Sequence, residues 1–541
     1  MVRVALRGNV WTGVGFAALG VLYVLFLVTA YASLGADRAS AARDLETIGA
    51  GFSFIIALPQ RLDTNAGYLA WFGYGQLVAV FSFWGISAGT YASRAEDERG
   101  LSDLWLAAGV TRRRVILAHA TAFAIAASVA LGVAAAAAAA LSAIGGEPIP
   151  GSALALQSVG VLAVTLLFFA IGLCAGQVVS TRRGALGVAA LILVGLFLLN
   201  GFSRQWDALS AIRWVSPFAY YDRVHGLVPG VPFGTGNVMV LFSVAAAALL
   251  VAIVAFDARD LGATLGRRGT AGTLRRLPAT NPVLRSQVLT ALYDQRVSLT
   301  VWCLAIAWQS FFITRLADPF LRALAGATAN DASAAQLRAV TGTGHGAPFE
   351  GFVGFEWFSS LACLGVAAYA ITQVARWASE DTEGRLELLL AAPLARSRVV
   401  AQRALALAVA VTLLVLVSHL GIALGTAVNE ARLDPGRLAV ASAMLLPVAG
   451  VFGGIGAAAS AWRPRLTVAL LSGLAVLSFF LPFVQPVIRG PEWLPHLSVF
   501  DLYGTPLSDG FEAWRFGWLT AITGASFALA VVAMRRRDIG R

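Results

Sequence analysis

Lysine is missing altogether: all 40 basic residues of the 541-residue chain are arginine. The absence has chemical consequences. A P-loop needs a lysine on the β- and γ-phosphates of its nucleotide, and Schiff-base catalysis needs an amine nucleophile. This chain supplies neither. Cysteine is almost as scarce. Cys174, Cys303 and Cys363 lie singly in apolar stretches, with no spacing suited to a disulfide framework or a zinc site, and read as small core residues. No cluster of acids, histidines and cysteines marks a catalytic centre. The His345 of "GTGHG" stands alone in a glycine-rich loop. Charge of either sign is thin as well, 13% of residues against 58% hydrophobic, where a soluble domain is about a quarter charged.

What fills the chain instead is long apolar runs. A helix crossing a bilayer needs about 20 such residues, and the sequence predicts twelve near 11–33, 69–92, 115–143, 154–179, 185–201, 237–256, 298–315, 352–375, 399–427, 438–461, 466–488 and 515–534. The first run, preceded by Arg3 and Arg7 and ending in Ala30-Tyr31-Ala32, has the outline of a signal peptide. It is long enough to span, however, and its counterpart near 298–315 is internal, so a retained helix is expected. With both termini cytoplasmic, arginines on the inner side outnumber those outside about two to one. The net charge of +11 is therefore assigned to topology and to anionic lipid headgroups rather than to nucleic acid.

One charged stretch occurs twice. Glu96–Val115 and Glu380–Val399 match at 10 of 20 positions, among them Glu96/Glu380, Asp97/Asp381, Gly100/Gly384, Leu104/Leu388, Arg112/Arg396 and Arg114/Arg398. Fainter echoes keep the order: Ser216, Phe218 and Tyr221 return as Ser498, Phe500 and Tyr503, and "FDARDLG" as "MRRRDIG". The expected architecture is an all-α integral membrane protein, about 12 transmembrane helices in two parallel six-helix repeats. Residues 1–260 form the first repeat, 261–297 a cytoplasmic linker with an amphipathic helix along the membrane surface, and 298–541 the second repeat. With six spans per half, both charged stretches face the same compartment, and an axis along the membrane normal relates the halves.

Each stretch reads as a short helix with acids before it and arginines after it, matching the helix dipole, and with one apolar face. The pattern of acids, a glycine, then "LELLLAAPLARSRVV" and a span resembles the segment after the second transmembrane helix of type-2 ABC exporter permeases. The doubled twelve-span form resembles the permeases of polyketide-antibiotic and multidrug exporters in that family. The resemblance covers the whole layout, while its specific motif is confined to Glu96–Val115 and Glu380–Val399. It implies that Glu96, Asp97, Gly100, Leu104, Arg112, Glu380, Asp381, Gly384, Leu388, Pro393 and Arg396 form two coupling helices that dock onto two copies of a separate ABC ATPase subunit. ATP and Mg belong to that partner, and this chain binds no cofactor. Gly109 stands where the second copy has Pro393, so unequal contacts with the two ATPase subunits are expected.

A hydrophobic small-molecule substrate needs a path. Aromatic runs open the second and eighth spans: Trp71, Phe72, Tyr74, Phe81 and Trp84 in one, Phe355, Trp357 and Phe358 in the other. They read either as an interfacial belt or as a greasy lining. The resemblance, which puts the second and fifth helices of each half at the central axis, adds Phe197, Asn200, Phe479 and Phe483. Ionisable groups in the spans are few, among them His119, His419 and Glu356. Their scarcity argues against the alternative, an ion-coupled secondary multidrug transporter. The expected protein is thus the transmembrane permease subunit of an ATP-driven exporter of hydrophobic or amphipathic compounds, not an enzyme, in a bacterial cell membrane.

Overall fold

A computed structural model describes residues 1–32, 42–43, 46, 57–204, 206–259, 286–327, 347–382, 384–391, 395–488, 491 and 493–536. Among these, twelve helices are long and apolar enough to cross a membrane. The chain divides into two compact units, Met1–Arg276 and Leu277–Arg541.

The first unit contains α1 (Val2–Ala32), α2 (Asn65–Glu98), the short α3 (Leu101–Ala107), α4 (Arg112–Ile144), α5 (Gly151–Val178), α6 (Arg182–Phe202), the short α7 (Pro217–Tyr221) and α8 (Thr235–Ala258). Helix α1 packs along α4, α2 along α5 and α6, and α5 along α8. The second unit contains α9 (Gln287–Ala327), α10 (Pro348–Asp381), the short α11 (Arg385–Leu390), α12 (Arg396–Val428), α13 (Pro435–Trp462), α14 (Pro464–Ile488), the short α15 (Val499–Tyr503) and α16 (Ala513–Arg536). Its pairings are α9 with α12, α10 with α13 and α14, and α13 with α16.

The apolar composition is distributed as a bilayer demands. Leu191, Leu250, Leu304 and Leu424 point outward and are exposed, where only lipid matches them. Without a hydrophobic drive between helices, close packing of small residues holds such a unit together. The α2–α5 contact is the tightest case. A side chain at Gly89 would collide with the Phe169 carbonyl oxygen, and one at Gly172 would lie 2.7 Å from the Ile86 carbonyl oxygen.

Two expectations need correction. The amphipathic segment expected within 261–297 is not a separate surface helix: from Gln287 it runs unbroken into the seventh span as the start of α9. Residues 260–285 lie outside the described ones. The acids Glu96–Glu98 do not begin the short helix. They form the last turn of α2, and the chain breaks only at Gly100, whose φ of 69° places it in the left-handed region. The same break occurs at Gly384, with φ 71°. Acids at a helix C-terminus oppose the dipole, so other partners must hold them.

Candidate functional site

Most of the partners come from other helices: Arg259 just past α8, the first residue of α6 and His119 of α4. The Asp97 side chain is 3% exposed and accepts from the Ser102 hydroxyl at 2.5 Å and from the Arg259 guanidinium, while Arg94 Nη1 lies 3.7 Å away. Arg259 also donates to Gln177 Oε1 at 2.5 Å and to the Ser93 carbonyl at 3.2 Å. Glu98 Oε1 accepts the backbone N–H of Arg182 at 2.8 Å. Glu96 is 9% exposed and faces His119 Nε2 at 3.2 Å. Arg112 donates to the terminal carbonyls of α8, at 3.0 Å to Phe256 and 3.3 Å to Asp257. This is favourable at the negative end of a helix dipole. Buried charges this well paired fix a geometry. The segment entering and leaving α3 is therefore bolted to α5, α6 and α8.

In the second unit, arginines also hold the charged segment. Glu380 Oε2 accepts from Arg403 Nη2 at 2.5 Å, and Arg396 donates to the Met534 carbonyl at 3.1 Å and the Arg535 carbonyl at 3.4 Å. Leu386 is buried with Val400, Ala458, Ala530 and Met534. Asp381 borders a cavity of about 20 Å³ beside Trp377 and Arg403, room for one water. Pro393 and the side chain of Leu388 lie outside the described residues.

Of the residues expected to meet a partner, Glu96, Asp97 and Arg112 are thus turned toward their own unit. What α3 leaves open is Asp103, Leu104, Ala107 and Ala108, with Leu104 65% exposed. The two glycines stand in open space: a Cβ at Gly100 or Gly384 meets nothing within 4 Å.

A second candidate site lies at the other end of the first unit. A cavity of about 600 Å³ opens between the start of α2, the end of α6 and the segment 203–228, within the usual range of small-molecule sites. Trp71, Phe197 and Asn200, three of the expected path residues, line it, joined by Val78, Phe218 and the charged groups Arg204, Arg213, Asp222 and Arg223. Arg204 and Asn200 Nδ2 both donate to Asp222 Oδ2, at 2.5 and 2.9 Å. Arg223 lies over the Trp214 ring at 4.4 Å and donates to the Ala219 carbonyl. Burial, then the neighbouring Arg213 charge, depress its affinity for the proton.

The other expected path residues lie elsewhere. Tyr74, Phe81 and Trp84 are in the packed interior. Trp84 stacks on Phe16 at 4.5 Å, and Phe72 lies edge-on to Trp71 at 4.4 Å. In the second unit Phe358 is fully buried and Trp357 donates to the Ser418 hydroxyl at 2.8 Å. Phe355 shares their helical turn, and Phe479 packs edge-on against Phe480 at 5.1 Å. The side chain of Phe483 lies outside the described residues.

Sequence periodicity misses two features. Leu69–Tyr74 and Val353–Ala362 are π-helical, a widening that often accompanies functional positions. The echoing Ser and Tyr also have mechanical duties. Ser216 and Ser498 cap α7 and α15 and donate to the carbonyls of Leu196 and Ser478 at 2.7 and 2.6 Å. Tyr221 donates to the Tyr74 carbonyl at 2.9 Å, and Tyr503 to that of Ala441 at 2.8 Å. Both phenols tie the second short helix of their unit to a long span.

Twelve apolar spans of this kind define a multi-pass helical membrane protein. A family described as the C-terminal domain of the multidrug efflux system permease Rv1217c matches residues 284–535. The multidrug efflux system permease protein Rv1217c of Mycobacterium tuberculosis is 26% identical over 454 residues, covering 83% of this chain and 78% of the relative. The chain is a distant homologue of that bacterial permease, a relationship that implies a transporter subunit rather than an enzyme.

Proposed function

We propose that the chain is the membrane-spanning permease of an ATP-driven exporter, built from two parallel six-span repeats and powered by two copies of a separate ATPase subunit. One observation carries the reading. In each unit the second span ends in a left-handed glycine and a short helix, and the arginine that follows grips the final carbonyls of the unit's last span. By parity of the spans both short helices face the same side, which the arginine bias makes the cytoplasm. Leu104, with Asp103, Ala107 and Ala108, is the surface offered to an ATPase, while Glu96, Asp97 and Arg112 hold that surface in place. Leu388 takes the corresponding role in the second unit. ATP and Mg stay on the partner. The distant kinship with a multidrug efflux permease supports export of hydrophobic or amphipathic compounds through a bacterial membrane.

The test is reconstitution with a candidate ATPase bearing a Walker A motif. The pair should co-purify and hydrolyse ATP faster in the presence of amphipathic compounds. Compound movement by the chain alone, driven by an ion gradient, would establish the secondary-transporter alternative instead.

A further inference from the structure

The cavity of the first unit is graded from end to end. Its deeper wall is apolar: Val78 lies more than three turns into α2, and Phe197 is more than a turn from the end of α6. Its mouth carries Arg204, Arg213 and Arg223, against which stand the carboxylates of Asp207 and Asp222. The charges there do not balance. Asp222 is engaged by Arg204 and Asn200, whereas among the described residues neither Arg213 nor Arg223 forms an ion pair with a carboxylate. Two polar atoms bear on the same space. Asn200 is 2% exposed and its Oδ1 has no hydrogen-bond partner, and Arg213 Nε is buried without an acceptor. Desolvated groups of this kind cost free energy until a ligand or water satisfies them. In the register that matches Ser216, Phe218 and Tyr221 to Ser498, Phe500 and Tyr503, Asp222 and Arg223 are replaced by Gly504 and Thr505. The cationic mouth is therefore written once, in the first unit.

We infer that this cavity binds an anionic amphiphile, its carboxylate or phosphate head at Arg213 and Arg223 and its tail along Phe197, Phe218 and Val78. Asn200 Oδ1 accepts a hydroxyl carried next to the head. The inference deepens the exporter reading, on which it rests for the role of the ligand as cargo, by naming the class of compound. The same head chemistry belongs to a single-chain cargo or to an outer-leaflet lipid.

The experiment is photolabelling of the full chain in zwitterionic nanodiscs with a diazirine-bearing dodecanoate, mapped by peptide mass spectrometry. Label is expected on 67–78 and 197–225. Unlabelled dodecanoate and dodecyl phosphate should compete; dodecanol, dodecyltrimethylammonium and acetate should not. The R213Q/R223Q double variant should lose labelling about tenfold, the value of one charge-assisted hydrogen bond, while R213K/R223K retains it and shows the fold intact. Adding phosphatidylglycerol distinguishes the sources: displacement of the label assigns the site to a lipid, persistence to a single-chain cargo. Equal competition by dodecanol, competition by acetate, or unchanged labelling in R213Q/R223Q overturns the inference. No ATPase is present, so failure to couple to one would sink the exporter reading and leave the site standing.

Discussion

Glu96 faces His119 at 3.2 Å, and its counterpart in the second unit, Glu380, faces Arg403 at 2.5 Å. The same pair of helices is joined in each unit by a carboxylate at the end of one and a cation in the first turns of the next, but the cation differs. The guanidinium of Arg403 is a permanent cation. Removing the permanent cation is therefore the costlier change. Arg403→Leu leaves a partly buried Glu380 without its guanidinium and should destabilise by about 2 kcal/mol, between the values for exposed and buried pairs. Arg403→His should be milder. Thermal unfolding in detergent measures both.

Asp97 and Leu104 lie on either side of the break at Gly100 and should fail in opposite ways. Asp97→Ala strips the counter-charge from Arg94 and Arg259, and a loss of about 3–5 kcal/mol is expected, read as poor expression and a lowered Tm. Leu104→Asp changes an exposed side chain and should leave stability within about 1 kcal/mol of the parent. ATPase co-purification should nevertheless fall. Equal loss of stability in the two variants would contradict this division of labour.

Two glycine-to-alanine exchanges make a sharper comparison. At Gly89 a methyl meets the Phe169 backbone oxygen, so α2 and α5 must part, at a cost of about 1–3 kcal/mol or more. At Gly100 there is open space and only the positive φ resists, a penalty of about 1 kcal/mol. Denaturation midpoints should rank Gly89→Ala well below Gly100→Ala.

Asp434 caps α13, and its Oδ1 accepts the backbone N–H groups of Gly436 and Arg437 at 2.7 and 3.0 Å. These bonds hold its carboxyl below the ordinary range. A lowered folded-state pKa means that its stabilisation is complete above the unfolded value of about 3.9 and is lost as pH falls through the folded one. Asp434→Asn keeps the cap but removes the proton dependence. The acid limb of its Tm–pH curve should be flatter than the parent's.

Much of this was readable from residues alone. Hydropathy located every span, because a bilayer imposes one length and one composition on all of them. The paired charged stretches could be found by matching Glu96–Val115 to Glu380–Val399. Their acids were harder to place. A dipole argument assigns Glu96–Glu98 to the start of α3, yet they close α2, because Arg259, just past the far end of α8, reaches back to Asp97. No local pattern carries that pairing. The cavity is hidden for the same reason: Arg213 and Arg223 belong to a segment between spans, and only its folding back against α2 and α6 brings them to Trp71 and Asn200. The π-helical turns at 69–74 and 353–362 have no periodic signature either.

Arg112 gives the first unit a particular mechanical property. Its guanidinium caps the last turn of α8 while its backbone begins α4, so two membrane crossings share one footing. A displacement of α3 would reach both columns through that one side chain, like the pull on a yoke.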